Sequence, residues 1–294
     1  MKCLVIYNNR CGKLNVIKKI DMILSKLKTK YEVVDKKASF YDGETRDLAR
    51  EACGKYDTIV VCGGDGTLHE VICGIGGQEN RPKIGIIPSG TVNDVSKSLK
   101  IPRNLNKSLD IILKDKVMKH DIFKVNEEYG LYASALGLLT EISYDVKSKP
   151  KSRFGKFAYY FSIPKYIFGK KAFKVTLDID GRKERHKASL MIVLNSRSIA
   201  GRKVDKKHNV NDGKVNLIIF DNVSTKVKLG GIWRIVKFFA FGMKKSSKNY
   251  KILECSEFKA NFRTMQKINI DGEKIECDQA DFKVIHPGIE IFVK

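Results

Sequence analysis

The sequence predicts an α/β fold joined to an all-β one: a doubly wound parallel α/β region over residues 1–122, then an antiparallel β-sandwich over residues 123–294, with a cleft between them. Three observations predict it. Continuous apolar runs alternate with helix-period segments through the first part. Beyond it, apolar and polar residues alternate at period two between turn sequences. Three polar, Gly-bearing turns each follow an apolar run in the first part, where a doubly wound sheet binds ligands at the carboxyl ends of its strands.

The elements follow in order. "KCLVIYN" is a strand buried on both faces, and "LNVIKKIDMILSKLKTK" sets Val16, Ile20, Ile23, Leu24 and Leu27 at helical spacing. "YEVVD" is a short strand, "ETRDLAREAC" a helix and "YDTIVVCGG" a strand that ends in glycines. "LHEVICGI" is a helix, "KIGIIPSG" a strand, and "TVNDVSKSL" and "SLDIILKDK" are two more helices. After these come the period-2 strands "KHDIFKVNEEYGLYASALGL", "AFKVTLDIDGRKERHKASLMIVLNS" and "GKVNLIIFD", with hairpin turns at "VNEEYG" and "DIDGRKE". "NFRTMQKINIDGEKIECDQADFKVIHPGIEIFVK" continues this pattern, its last few residues free to return to the first region.

Composition narrows the class. With 43% hydrophobic and 30% charged residues, the chain is an ordinary globular protein, and no apolar stretch has the length of a membrane span. The apolar part of "MKCLVIYNNR" is too short for a signal peptide and reads as a first strand. Seven cysteines (Cys3, Cys11, Cys53, Cys62, Cys73, Cys255, Cys277) lack C-x-x-C or finger spacing, which predicts a reducing, cytoplasmic setting. Net charge is +23, and residues 147–187 hold 13 Lys/Arg against 3 Asp/Glu. Nucleic acid, an anionic membrane face, phosphorylated small molecules or a plain lysine-rich surface would each account for that excess.

The glycine turns carry the chemistry. Gly63, Gly64, Asp65, Gly66 and Thr67 stand between a strand and a helix, where main-chain N–H groups and a positive helix end make a phosphate site. The pattern is neither a Walker A loop nor G-x-G-x-x-G, and a tight packing turn is the alternative. Gly90, Thr91, Asn93 and Asp94 repeat the placement in "IGIIPSGTVNDVSKSL", and Asn8 and Gly12 do so in "IYNNRCGKLN".

"GGDGTLHEV" followed by "IGIIPSGTVNDVSKSL" resembles the diacylglycerol kinase catalytic family of bacterial lipid kinases, related to sphingosine kinases and more distantly to NAD kinases. "NNRCGK", "TEISYDVKSKPKSRFGKFAYY", "NSRSIAG", "NVNDGKVNLIIF" and "INIDGEKIE" resemble its further motifs in order. The resemblance implies an NAD-kinase-like first domain, a lipid-substrate second domain, and Mg²⁺- and ATP-dependent phosphorylation of a lipid hydroxyl, with diacylglycerol as the default acceptor. It implies that Asn8, Asn9, Arg10, Cys11, Gly12, Ser39, Gly63, Gly64, Asp65, Gly66 and Thr67 line the nucleotide site, with Thr91 beside them. Asp65 and Asp94 would position nucleotide and Mg²⁺. Glu273 maps to the catalytic carboxylate and Asp271 to its neighbour, although D-G-E by itself reads as an exposed turn. Asp212, Asn209 and the carbonyl of Lys214 would hold a structural Mg²⁺.

Departures from the family pattern are Asn9 in place of proline, His69 in place of asparagine, Val92 and Ser96. His69 reads as a helix-capping or surface histidine, with a phosphate contact as the alternative. The stretch "GGIWRIVKFFAFGMKKSSK" places Ile232, Ile235, Val236, Phe239 and Met243 at helical spacing, either as a core helix or at a membrane interface. The Lys147–Lys187 segment, with its interleaved aromatics, is the expected contact with anionic lipid, in a protein that is cytoplasmic and transiently membrane-associated. No nucleic-acid signature is present, and a homodimer is compatible with the sequence. An NAD kinase-like small-molecule kinase and a catalytically inactive nucleotide- or lipid-binding module remain the rival readings.

Overall fold

The computed structural model describes residues 1–8, 17–137, 172–199, 202–205, 207–221, 235, 237–239, 241–243 and 250–294. The front of the molecule is a parallel sheet of β1 (Lys2–Asn8), β2 (Val33–Ser39), β3 (Thr58–Gly63) and β4 (Lys83–Pro88), in the order β2-β1-β3-β4. β3 reads TIVVCG and is buried throughout, as a parallel strand covered on both faces must be. Five helices accompany these strands: α1 (Ile20–Leu27), α2 (Glu44–Ala52), α3 (Asp65–Ile75), α4 (Asp94–Ser98) and α5 (Leu105–Leu113). Asn104 caps α5 by accepting from the Lys107 N–H at 3.1 Å. In α3, Gly74 lets α2 come close, since a Cβ there would lie 2.3 Å from the Arg46 carbonyl oxygen.

The rest of the chain is antiparallel: β5 (Val117–Val125), β6 (Glu128–Gly130), β7 (Ala133–Gly137), β8 (Phe173–Ile179), β9 (Arg182–Leu194), β12 (Val215–Asp221), β13 (Lys251–Cys255), β14 (Glu257–Ile270) and β15 (Glu273–Phe292). A two-stranded ribbon, β10 (Ser198–Ile199) with β11 (Arg202–Lys203), stands apart. The sequence predicts two architectures, and among the described residues thirteen strands form one continuous sheet through both. The junction is β15. It pairs antiparallel with β14 and β5, then parallel with β4 through Ile291 opposite Ile84. Ile289, Ile291 and Phe292 accordingly belong to the front core, with Ile59, Ile72 and Ile84.

In the antiparallel half, β12 and the second half of β9 are buried on both faces, whereas β14 and much of β15 expose one. Along β9, Met191 and Val193 enter one cluster with Leu217, Phe258 and Phe282, while Leu190, Ile192 and Leu194 enter another with Phe220, Phe238 and Tyr250. The alternation follows from the period-2 geometry of a strand. The second cluster decides part of the 232–243 question. Ile235 and Phe238 are helical and buried, and Phe238 packs edge-on against Phe220 and Tyr250 with ring centroids 5.4 and 5.3 Å apart. That is a core role. Ile232 and Val236 lie outside the described residues, as do residues 147–171 of the basic segment. No described helix is long and apolar enough to cross a membrane.

Phe238→Ala should lower unfolding stability by about 3–5 kcal/mol, as expected for deleting a buried ring. Chemical denaturation followed by circular dichroism checks it.

Candidate active site

The register of the parallel strands collects the polar turns on one edge. Asn8 ends β1 opposite Ser39 at the end of β2, Tyr7 lies opposite Cys62, and Gly63 lies opposite Pro88. Asn9, Arg10, Cys11 and Gly12 lie outside the described residues. Ser39 and Ser89 are buried at this edge, and their hydroxyls have no hydrogen-bond partner among the described residues.

Two of the turns touch. A Cβ on Gly90 would stand 2.5 Å from the Gly64 Cα, a distance real Cβ atoms essentially never show. Only glycine at both positions allows the two main chains this approach. Asn93 fixes the second turn from a left-handed conformation (φ 54°): its Oδ1 accepts from the Gly90 N–H at 3.0 Å and its Nδ2 donates to the Gly90 carbonyl at 2.8 Å. Arg103 donates to the carbonyls of Gly90 and Thr91. Asp65, at the first residue of α3, accepts from the Val95 N–H at 3.3 Å and so ties the two turns together. Burial raises the Asp94 carboxyl above its ordinary pKa, and the charge of Asp65 adds to the rise. Thr67 is buried beneath Gly63, whereas Thr91 is exposed.

The β14–β15 hairpin brings the distant carboxylates to this edge. Glu273 Oε1 lies 3.4 Å from where a Cβ on Gly66 would stand, so the side chain faces the glycine turn. Asp271 is turned the other way. Its carboxylate accepts from three successive main-chain N–H groups, Leu131 at 2.6 Å, Tyr132 at 2.9 Å and Ala133 at 2.8 Å, and its own N–H donates to the Ala133 carbonyl. Burial raises the Asp271 carboxyl, with His69 and these N–H groups acting in the opposite direction. Both oxygens being engaged by the main chain, Asp271 is built as a brace.

Beside Glu273 lies a cavity of about 130 Å³ lined by Arg46, His69, Glu70, Glu128, Glu273 and Lys274. Arg46 grips Glu128 with two hydrogen bonds of 2.9 and 2.8 Å and reaches Glu70 at 3.2 Å. Burial pulls the Glu128 carboxyl upward, but the hydrogen bonds from Arg46 and Cys73 outweigh it and hold the pKa below its ordinary value. His69 is 3% exposed, in the second turn of α3, which excludes a capping or surface role. Arg46, Glu128 and Arg103 were not legible as site residues in the sequence. Each sits in a stretch that carries no recognisable motif, and only tertiary packing brings it to the edge.

The 209–214 turn lies elsewhere. Asn209 accepts from the Asn211 N–H at 3.2 Å, Asp212 from the Lys214 N–H at 3.1 Å, and Gly213 donates to the fully buried Asp121 carboxylate at 2.7 Å. His286 also hydrogen-bonds Asp121, at 2.7 Å. Among the described residues, no cluster of three His, Cys, Asp or Glu ligands includes Asp212.

Gly90→Ala should push the two turns apart and lower turnover by roughly a hundredfold, the scale of a 1 Å misplacement at a reacting centre. Steady-state kinetics on the variant, with its fold checked by circular dichroism, read the effect.

The Diacylglycerol kinase catalytic domain profile matches residues 2–125. A protein named Diacylglycerol kinase from Staphylococcus epidermidis (strain ATCC 35984) is 32% identical over 293 residues, covering 98% of this chain and 90% of the relative. One of the same name from Staphylococcus aureus (strain bovine RF122) is 32% identical, covering 98% and 91%. A solved structure described as a putative diacylglycerol kinase from Bacillus anthracis str. Sterne superposes with a TM-score of 0.83 at 22% identity, over 100% of this chain and 97% of that one. With full-length relatives at this identity and the glycine turns in place, the chain belongs to the diacylglycerol kinase family of lipid kinases.

Proposed function

We propose that the protein transfers the γ-phosphoryl group of ATP to the hydroxyl of a lipid, diacylglycerol by default, giving phosphatidic acid. The observation that carries this reading is the Glu273 carboxylate facing Gly66 across the glycine turn. In the reaction, the lipid oxygen forms a bond to the γ-phosphorus while the bond from that phosphorus to the bridging oxygen of ADP breaks. Glu273 takes the hydroxyl proton, and main-chain N–H groups of residues 63–67 hold the phosphate oxygens.

Asp65 and Asp94 fit a divalent cation, since they open α3 and α4 directly after the two turns that touch. Mg²⁺ held there would neutralise charge on the phosphate oxygens. Asn8, Ser39 and Thr91 would complete the phosphate edge, together with Asn9, Arg10, Cys11 and Gly12. A structural cation at the 209–214 turn would take Asp212, Asn209 and the Lys214 carbonyl.

In this reading the front α/β part binds nucleotide, the β-rich part presents the lipid, and the reaction occurs in the cleft between them. The protein works from the cytoplasm and docks transiently on an anionic membrane face through the basic 147–187 segment, whose 13 Lys/Arg outnumber 3 Asp/Glu.

Glu273→Gln should abolish turnover in a radiolabelled-ATP assay with mixed lipid micelles while nucleotide binding stays within about twofold; wild-type turnover would remove Glu273 as the base. Asp271→Ala should behave differently, destabilising the fold by about 1–3 kcal/mol for each N–H left unpaired. Charge reversal at Lys149, Lys151 and Arg153 should weaken sedimentation with anionic vesicles, most strongly at low salt. Unchanged sedimentation would move the docking face elsewhere.

A further inference from the structure

We infer that His69, Cys73 and Glu128 form a binding site for a thiophilic divalent cation, of which Zn²⁺ is the type. One ring nitrogen of His69, Cys73 Sγ and a Glu128 carboxylate oxygen lie within 4.8 Å of one another. His69 Nε2 is 3.5 Å from Cys73 Sγ, which is 3.2 Å from Glu128 Oε2. Tetrahedral zinc, with bonds of about 2.0 Å to nitrogen and oxygen and 2.3 Å to sulfur, separates such ligand atoms by about 3.5 Å. The three side chains therefore need little movement to close on an ion. The geometry comes from the fold. His69 and Cys73 are one helical turn apart on α3, and Glu128 stands on β6 facing them.

A second observation points to a ligand. His69 is 97% buried, yet its Nδ1 has no hydrogen-bond partner and its Nε2 meets only the weakly bonding thiol among the described residues. A buried imidazole without a nitrogen or oxygen partner is costly, and a metal bond at Nε2 gives the ring one strong partner and fixes its proton on Nδ1. The ring borders the 130 Å³ cavity, which has room for a water as fourth ligand.

Charge and chemistry select the ion. Arg46 offsets one of the two glutamates it touches, Glu70 and Glu128, which leaves one net negative charge. A divalent ion that displaces the thiol proton to solvent brings the group to neutrality. One donor is a sulfur and one an imidazole nitrogen, a set that favours a thiolate-seeking metal over a hard, oxygen-preferring cation such as Mg²⁺. Arg46, bonded twice to Glu128, holds that carboxylate in place as an outer-sphere partner does. An ion here would tie α3, which begins at the phosphate turn, to β6, across the chamber that Glu273 borders.

The test uses the full chain, stripped with a chelator and titrated with Co²⁺ alone in excess Mg²⁺. The expected result is a sulfur-to-cobalt charge-transfer band, displaced by one equivalent of Zn²⁺. Cys73→Ala and His69→Asn should each weaken Co²⁺ binding by about tenfold or more, while Cys255→Ala leaves it unchanged. X-ray absorption of the Zn²⁺-loaded wild type should count one sulfur among the ligands, which gives a reading even where a variant fails to fold. No band, a band that survives Cys73→Ala, or a sulfur count other than one would overturn the site. None of these readouts depends on lipid kinase activity, so the outcome is separate from that of the proposed function.

Discussion

Three successive N–H groups, of Leu131, Tyr132 and Ala133, close around the Asp271 carboxylate, and the site hangs on that contact. A hairpin tip would ordinarily be among the more mobile parts of a β structure. Here an acceptor with both oxygens engaged locks the tip to the segment between β6 and β7, from the left-handed conformation of Asp271 (φ 51°). Glu273, two residues on, inherits that rigidity. The neighbouring carboxylates differ in role because their surroundings differ: one is saturated by main-chain donors, the other is aimed at the glycine turn.

The opposite wall is rigid for another reason. Gly64 and Gly90 bring two main chains into contact, and the side chains that secure the contact bond to backbone: Asp65 to Val95, Asn93 to Gly90, and Arg103 to Gly90 and Thr91. Such a wall offers N–H groups with little reorganisation left to make when charge arrives. The absence of side chains at the contact matters as much as the side chains around it.

The strand–helix alternation of the first 122 residues was readable because buried parallel strands and amphipathic helices have different periods, and α3 and β3 appear where those periods change. The glycine turns were readable because their residue types have few other uses between a strand and a helix. Continuity of the sheet was not, because nothing local to Ile291 says that its neighbour is Ile84. The environment of His69 was hidden for a similar reason. Its surroundings include Glu128 from β6 and Arg46 from α2, neither of them a neighbour of His69 along the chain. Asp271 and Glu273 look alike in "DGE", and only the fold separates the carboxylate that main-chain donors engage from the one that faces the glycine turn.

The path of β15 also has a consequence for how the molecule comes to exist. Its far end, around Ile291, supplies both the neighbour of β4 and part of the core over the first helices, so the front sheet has an unsatisfied flank until β15 has been synthesised. On the ribosome, β4 and its apolar surroundings must wait for a partner about two hundred residues downstream, a long-range closure of the kind that slows folding and leaves a strand edge open to other chains. Dependence on chaperones during synthesis would follow from that one crossing strand.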